Sequence, residues 1–135
     1  MRPNSIVQFE RLFLVSFVIN VLIYVLTWHS SVAALTARGG MPGMDAGTVL
    51  AVFVGVNLLA QLGLYYLVAR RASVIAKWIL SVWFVVAATS LAYQAFQLGL
   101  RVSLVSALGW IGFLIFAWSI SYLFKPDAEA WLGKR

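Results

Sequence analysis

The sequence contains no cysteine and a single histidine among its 135 residues. A disulfide framework, a thiolate site and a histidine-rich metal centre are therefore excluded. Charged residues are also scarce, because they make up 10% of the chain, whereas ordinary soluble domains have about 25%. A soluble domain with 63% hydrophobic residues would lack the polar groups needed to cover its surface. These shortages indicate one membrane-embedded domain rather than a soluble protein.

Charge is absent from four long runs of the chain. The runs cover residues 12–37, 46–69, 78–100 and 102–124. A helix crosses a bilayer core of about 30 Å with roughly 20 apolar residues, and each run has at least 23 residues. We therefore predict an all-α, polytopic membrane protein, an antiparallel bundle of four transmembrane helices with an interfacial C-terminal tail at 126–135. The helices are expected at about 11–34, 47–69, 74–97 and 102–124.

Basic residues at the ends of these runs predict the orientation in the membrane. Arg70, Arg71 and Lys77 lie around the junction of the second and third helices, and short loops rich in Lys and Arg stay on the cytoplasmic side of a bacterial inner membrane. If both termini share that side, Arg38 and Arg101 are external and eight basic residues are cytoplasmic. The eight are Arg2, Arg11, Arg70, Arg71, Lys77, Lys125, Lys134 and Arg135. This bias predicts a multi-pass inner-membrane protein with both termini in the cytoplasm.

The net charge of +6 is interpreted as affinity for lipid rather than for nucleic acid. Basic residues lie at helix ends and in tails, not along a soluble face, so no nucleic-acid partner is expected. Anionic lipid headgroups are expected at four of them: Arg70, Arg71, Lys77 and Lys125. In the tail, Trp131 and Leu132 are expected to dip toward lipid.

Local patterns predict where helices begin and end. Ser5 followed by Gln8 matches a capping box, in which side chains bond the free backbone N–H groups of the first turn. Asp45 is well placed to cap helix two, and helix three is expected to begin near Ser73. Pro126 is expected to stop helix four.

Uncharged polar residues recur inside the apolar runs. They are Asn20, Asn57, Gln61, Ser90, Gln94 and Gln97. One interpretation is hydrogen bonding between helices, at about 0.6 kcal/mol per bond on average. The other is a small polar cavity between helices one, two and three, which opens outward and takes a lipid headgroup, a quinone or a small solute.

Signs of chemistry are few. No charged residue lies inside the four runs, although intramembrane ionisable groups usually mark proton and ion pathways. The four carboxylates lie at helix ends or in tails, and no phosphate-binding loop occurs. We therefore expect a protein that is not an enzyme and has no cofactor. Glu10, at the start of helix one, could bind a proton or cation, but Arg11 and nearby headgroups could equally neutralise it.

A metal site is the weakest of the possibilities. His29, Met41 and Met44 give one imidazole and two thioethers on the predicted outer side. Soft sulfur ligands suit Cu(I). Methionine is also a common interfacial hydrophobe, and one pair of methionines is a poor signal, so no metal is expected.

Both ends of the chain carry short motifs. The sequence opens with Arg-Pro-Asn-Ser-Ile-Val at 2–7 and Phe9-Glu10, and Phe-Lys-Pro-Asp-Ala at 124–128 leads to Trp131. In these motifs and in its layout the chain resembles a group of small uncharacterised four-helix inner-membrane proteins of proteobacteria. That group has no assigned activity, so the resemblance implies no functional residue. Length and helix count also resemble small multidrug-resistance transporters, but those need a glutamate within the first membrane helix, and Glu10 precedes it here.

Three functions remain open. The first is a non-catalytic accessory, structural or assembly subunit that packs against a protein partner, or against further copies of itself, through aromatic and small-residue faces. The second is a small oligomeric transporter or channel with a polar intramembrane cavity. The third is a metal sensor on the periplasmic side.

Overall fold

The computed structural model describes residues 2–99 and 103–133, and these are all-helical, with no strand among them. The helices are α1 (Asn4–Ala37), α2 (Ala46–Ala69), α3 (Val74–Leu98), α4 (Leu104–Tyr122) and α5 (Pro126–Leu132). The first four are each long and apolar enough to cross a membrane, as a multi-pass membrane protein requires. The predictions for Arg101, Lys134 and Arg135, and the predicted start of helix four at 102, lie outside the described residues.

Two of the predicted helix starts are confirmed. The Asp45 carboxylate accepts the Thr48 backbone N–H at 2.9 Å and caps α2. The Ser73 hydroxyl oxygen accepts the backbone N–H three residues on, at 3.2 Å, and caps α3. Each bond satisfies a backbone donor that the first helical turn leaves free.

The predicted capping box at the start of α1 is wrong. The helix begins at Asn4 after Pro3, and no side chain caps it. Ser5 lies inside the first turn, and its hydroxyl donates instead to Asp127 of α5 at 2.7 Å. A local cap is replaced by a bond between the two ends of the chain.

Helix α1 is central to the packing, because it contacts α2, α4 and α5. Its most extensive contact is with α4. Glu10 of α1 contacts Tyr65 of α2, and Tyr24 of α1 contacts Asn57 of α2. Residue numbers of the contacting positions therefore decrease along α2 as they increase along α1. Helix α3 completes the set by contacting α2 and α4.

The tightest packing lies at the end of the molecule where α1 begins and α4 ends. Its largest fully buried side chains are Ile6, Phe9, Phe13, Val68, Leu80, Leu123 and Leu132. Lipid tails are as apolar as leucine, so inside a bilayer close packing and polar bonds, rather than exclusion of water, hold helices together. This end has both: aromatic rings in mutual contact and all three ion pairs found among the described residues.

The tail forms helix α5, which starts with Pro126 in its first turn, a favoured position for proline. Leu132 is 2% exposed and Ala128 fully buried against the core of the packed end. The expectation that Leu132 dips into lipid is therefore wrong. Trp131 also packs against this core, and its indole N–H has no hydrogen-bond partner among the described residues.

Candidate functional site

A cavity of about 530 Å³ lies between α1, α2, α3 and α4. It extends from the buried core toward the end of the molecule where α3 ends and α4 begins. Its volume falls in the range of roughly 300–1,000 Å³ that is usual for sites of small molecules. Three amide side chains reach it: Asn20, Gln61 and Gln94. None of its lining residues in the described part of the chain carries a charge. The cavity therefore combines an apolar wall with a few neutral hydrogen-bonding groups.

The polar wall is formed by α1 and α2. Gln61 donates its amide N–H to the Asn57 side-chain oxygen at 2.7 Å, one turn earlier on the same helix. Asn20 donates to the Gln61 oxygen at 3.4 Å, and the Tyr24 hydroxyl donates to Asn57 at the same distance. The two long bonds between helices are weaker than the short one within α2. Gln61 is therefore fixed in orientation, while Asn20 keeps hydrogen-bonding capacity toward the cavity.

The polar residues of α3 differ in whether they line the cavity. Gln94 lines the cavity with Ala87 and Leu91, which share its helical face. Its side chain has no hydrogen-bond partner within residues 2–99 and 103–133. Gln94, Ser90 and Gln97 are all exposed, but Ser90 and Gln97 lie to one side of this helical face and do not line the cavity. Of the six predicted polar residues, the structure thus brings Asn20, Gln61 and Gln94 to the cavity itself.

Aromatic rings form the facing wall. Phe113 stacks on Phe84 with ring centroids 5.2 Å apart and an interplanar angle of 8°, and Trp110 meets Phe113 edge-on at 6.5 Å. Trp83 and Phe116 also line the cavity. Sequence reasoning did not assign these residues to a site. The available signal was the proximity in sequence of Gly109, Gly112 and bulky rings on α4, which leaves space beside a rigid aromatic surface.

Glu10 pairs with two arginines at the end of the molecule where α1 begins and α4 ends. Arg2 donates to one of its carboxylate oxygens at 2.7 Å, while the Tyr65 hydroxyl and Arg70, the latter at 3.4 Å, donate to the other. The side chain of Glu10 is 16% exposed. Among the described residues its neutralising partners are thus Arg2 and Arg70, whereas Arg11 forms no ion pair with it. A free proton or cation site at Glu10 has no support in this geometry.

Lys77 does not face headgroups as expected. Its side chain is 7% exposed, and its ammonium lies 3.3 Å from a Glu129 oxygen and 4.1 Å from the centre of the Phe124 ring. Arg70, Arg71 and Lys125 are exposed, so the expectation of headgroup contact is reasonable for them. Lys77 instead ties α3 to α5.

The two ends of the chain meet at Asp127. Its carboxylate accepts the Ser5 hydroxyl at 2.7 Å and the Ser5 backbone N–H at 3.2 Å. The hydroxyl bond, followed by the backbone bonds, holds the pKa of this carboxyl below its usual value, because each bond favours the ionised form. Helix α5 is therefore attached to the start of α1 by an acid-sensitive contact.

The metal candidates predicted for the outer side lie at the surface of the protein. His29, Met41 and Met44 are all exposed, and Met44 donates its backbone N–H to the Met41 carbonyl at 3.1 Å in a turn. Within the described residues, no group of three or more His, Cys, Asp or Glu side chains could hold a metal ion.

Comparisons with known proteins add nothing to this geometry. No family model matches the sequence, and no match was found among curated proteins or among solved structures. The function is therefore argued from the site.

Proposed function

We propose that this protein is a non-catalytic, multi-pass protein of the bacterial inner membrane that holds a small, bilayer-soluble molecule between α1, α2, α3 and α4. The observation that carries the proposal is the cavity of about 530 Å³ with its neutral amides and rigid rings. Apolar cavities with a few convergent polar groups are the usual sites of small molecules. A binding role, rather than a catalytic one, fits a lining that offers amides and hydroxyls but no ionisable pair.

The orientation that goes with this proposal is an antiparallel bundle with both termini in the cytoplasm. The reversed order of contacts between α1 and α2 and the basic residues at 70 and 71 support it. Because the sequence has no cysteine, single-cysteine variants can be labelled in intact cells without background. Met41→Cys should react with a membrane-impermeant maleimide from outside the cell, whereas Ala130→Cys on α5 should react only after lysis. Labelling of Ala130→Cys in intact cells would reject the orientation.

Filling the cavity tests the binding role. Gly109 lines the cavity, and a Cβ added there meets no atom within 4 Å. Leucine at this position should therefore enter the empty space without displacing a helix. Native mass spectrometry of the protein released from nanodiscs formed with host lipids should show a bound molecule on the wild type that is lost from Gly109→Leu.

The matched control is Gly63→Leu. Gly63 is equally open, but it lies on α2 away from the cavity. This variant should retain the bound molecule. If wild type carries nothing, or if both leucine variants carry as much as wild type, the proposed function is wrong.

An accessory or assembly role is favoured by a different observation. Gly47, Ala51 and Gly55 form a row of small residues on α2, and a Cβ at Gly55 meets nothing within 4 Å. Such rows allow close approach of a second membrane helix, and no described residue of another helix lies within 4 Å of a Cβ placed at Gly55. If a protein partner or a second copy packs there, Gly55→Leu should abolish cross-linking in membranes, whereas Gly63→Leu should not. Equal cross-linking in both variants would remove this candidate.

A further inference from the structure

The lining of the cavity restricts what it can hold, and the first restriction concerns charge. Within the described residues, no carboxylate, ammonium, guanidinium or imidazole lines it. A charged group placed there would have no counter-ion among the described lining residues, which is strongly unfavourable in a low-dielectric environment. The described lining therefore favours a neutral occupant.

The second restriction concerns shape. Phe113 is held between the stacked Phe84 ring and the Trp110 edge, so the aromatic wall is rigid. Trp83 and Phe116 extend this wall. Flat rings pack on such a surface by offset or edge-to-face contact, which a flexible acyl chain cannot reproduce.

The third restriction concerns polarity. Gln94 on α3 has no hydrogen-bond partner in the described part of the chain, and Asn20 on α1 has a single long one. Both lie on the same cavity but on different helices. Gln94 is exposed and Asn20 is partly exposed, and inside a bilayer such amides meet lipid and not water. An acyl chain would therefore leave their hydrogen-bonding capacity unsatisfied at a cost. A highly polar solute would instead lie against Ile19, Ile23 and Leu91 with no partner there.

We propose that the cavity binds the neutral, planar head of a quinone-type lipid, with the amide N–H groups of Asn20 and Gln94 donating to carbonyl oxygens on its edges and the rings of Trp83 and Trp110 against its face. This inference rests on the proposed function and names the class of molecule bound. The head lies between the amide side chains and the aromatic wall of the cavity. An isoprenoid or alkyl tail extends from the cavity into the surrounding bilayer.

The test uses decylubiquinone as probe and the full-length protein in phosphatidylcholine nanodiscs. Quinones quench nearby tryptophans, so binding should appear as a saturable fall in emission above the linear background from partitioning. Gln94→Leu should weaken the apparent affinity about fivefold, which is the effect of one lost hydrogen bond. Gln97→Leu makes the same chemical change one turn away, outside the cavity, and should leave the affinity unchanged.

The source of the signal is checked with tryptophan variants. Trp83→Phe combined with Trp110→Phe should remove the saturable part of the quenching. Trp78→Phe should retain it, because Trp78 is 58% exposed and does not line the cavity. Circular dichroism of each variant should show the helix content of the wild type, which excludes loss of folding as the cause.

The outcomes separate the two proposals. Quenching without saturation, or equal affinities in Gln94→Leu and Gln97→Leu, overturns the quinone inference. If Gly109→Leu still removes a bound molecule found by mass spectrometry, the ligand belongs to another class, such as a phospholipid, and the binding function stands. If Gly109→Leu changes neither measurement, both proposals fail.

Discussion

The close approach of α1 and α4 can be tested at a single glycine. A Cβ added at Gly112 would lie 3.0 Å from Cγ2 and 3.6 Å from Cβ of Ile19. Ile19 is β-branched and stiff about χ1, so its methyl group cannot turn aside without moving the helix. We expect Gly112→Ala to force the two helices apart locally. Gly109→Ala, three residues earlier and with nothing within 4 Å, should be accommodated.

The size of the effect follows from two opposing terms. Alanine in place of glycine in a helix interior gains roughly 0.5–1 kcal/mol. Overpacking a close contact costs typically about 1–3 kcal/mol. Gly109→Ala has only the first term, whereas Gly112→Ala has both. The free energy of unfolding should therefore be lower for Gly112→Ala than for Gly109→Ala by about 1–3 kcal/mol.

The assay is reversible unfolding in mixed micelles of dodecyl maltoside and SDS, followed by far-ultraviolet circular dichroism. Ile19→Leu provides the internal check, because it removes the Cγ2 methyl group at nearly constant volume. The double variant should recover most of the loss, which appears as a coupling energy between neighbouring sites. If Gly112→Ala is as stable as Gly109→Ala, or if Ile19→Leu brings no recovery, the reasoning about this helix contact is refuted.

Three further predictions concern the packed end. Acid should weaken the attachment of α5 to α1: the bonds from Ser5 lower the pKa of Asp127, so their stabilisation is complete above its ordinary pKa of 3.8 and is lost as pH falls through the lowered value. Trp131 emission against pH should show this transition, and Asp127→Asn should remove its pH dependence. Glu129→Gln should destabilise the protein by about 1–2 kcal/mol and Lys77→Met by less, since only the first leaves a buried ammonium without its carboxylate; chemical unfolding compares the two, and the reverse order would contradict the reasoning. Glu10→Gln should cost about 1–3 kcal/mol in the same assay, because it weakens charge-assisted bonds to a carboxylate that is 16% exposed; an unchanged midpoint would contradict it.

The sequence predicted the helices better than it predicted their contacts. Long uncharged runs, the cap at Asp45 and the start of helix three near Ser73 are local features, and the structure agrees with all three. The bond between Ser5 and Asp127 joins residues 122 positions apart, and no local pattern encodes such a pairing. The capping-box prediction failed for this reason, because a tertiary acceptor competes with the local backbone for the Ser5 hydroxyl.

The candidate site was predicted in part. Hydrogen bonding between helices was one of two interpretations of Asn20 and Gln61 from the sequence, and the two side chains do bond to each other. On α3 the polar residues alone could not identify the inward face, so Ser90 and Gln97 were grouped with Gln94. Lys77 was misplaced because its charge was taken as a sign of exposure. Its long side chain instead reaches an inner carboxylate and a ring face.

The division of the molecule into a packed and an open half argues that the cavity is occupied in the membrane. On the cavity side of the contact between Ile19 and Gly112, small residues such as Gly109 and Ala95 have no large side chain to fill the space between the helices. In a bilayer no hydrophobic force closes such a gap, since lipid tails solvate apolar helices as well as other helices do. An empty space of about 530 Å³ would still forfeit the dispersion contacts of every group that lines it. A bound molecule would restore those contacts. One that also accepts hydrogen bonds from Asn20 and Gln94 would be favoured over a lipid chain, which offers these amides no acceptor.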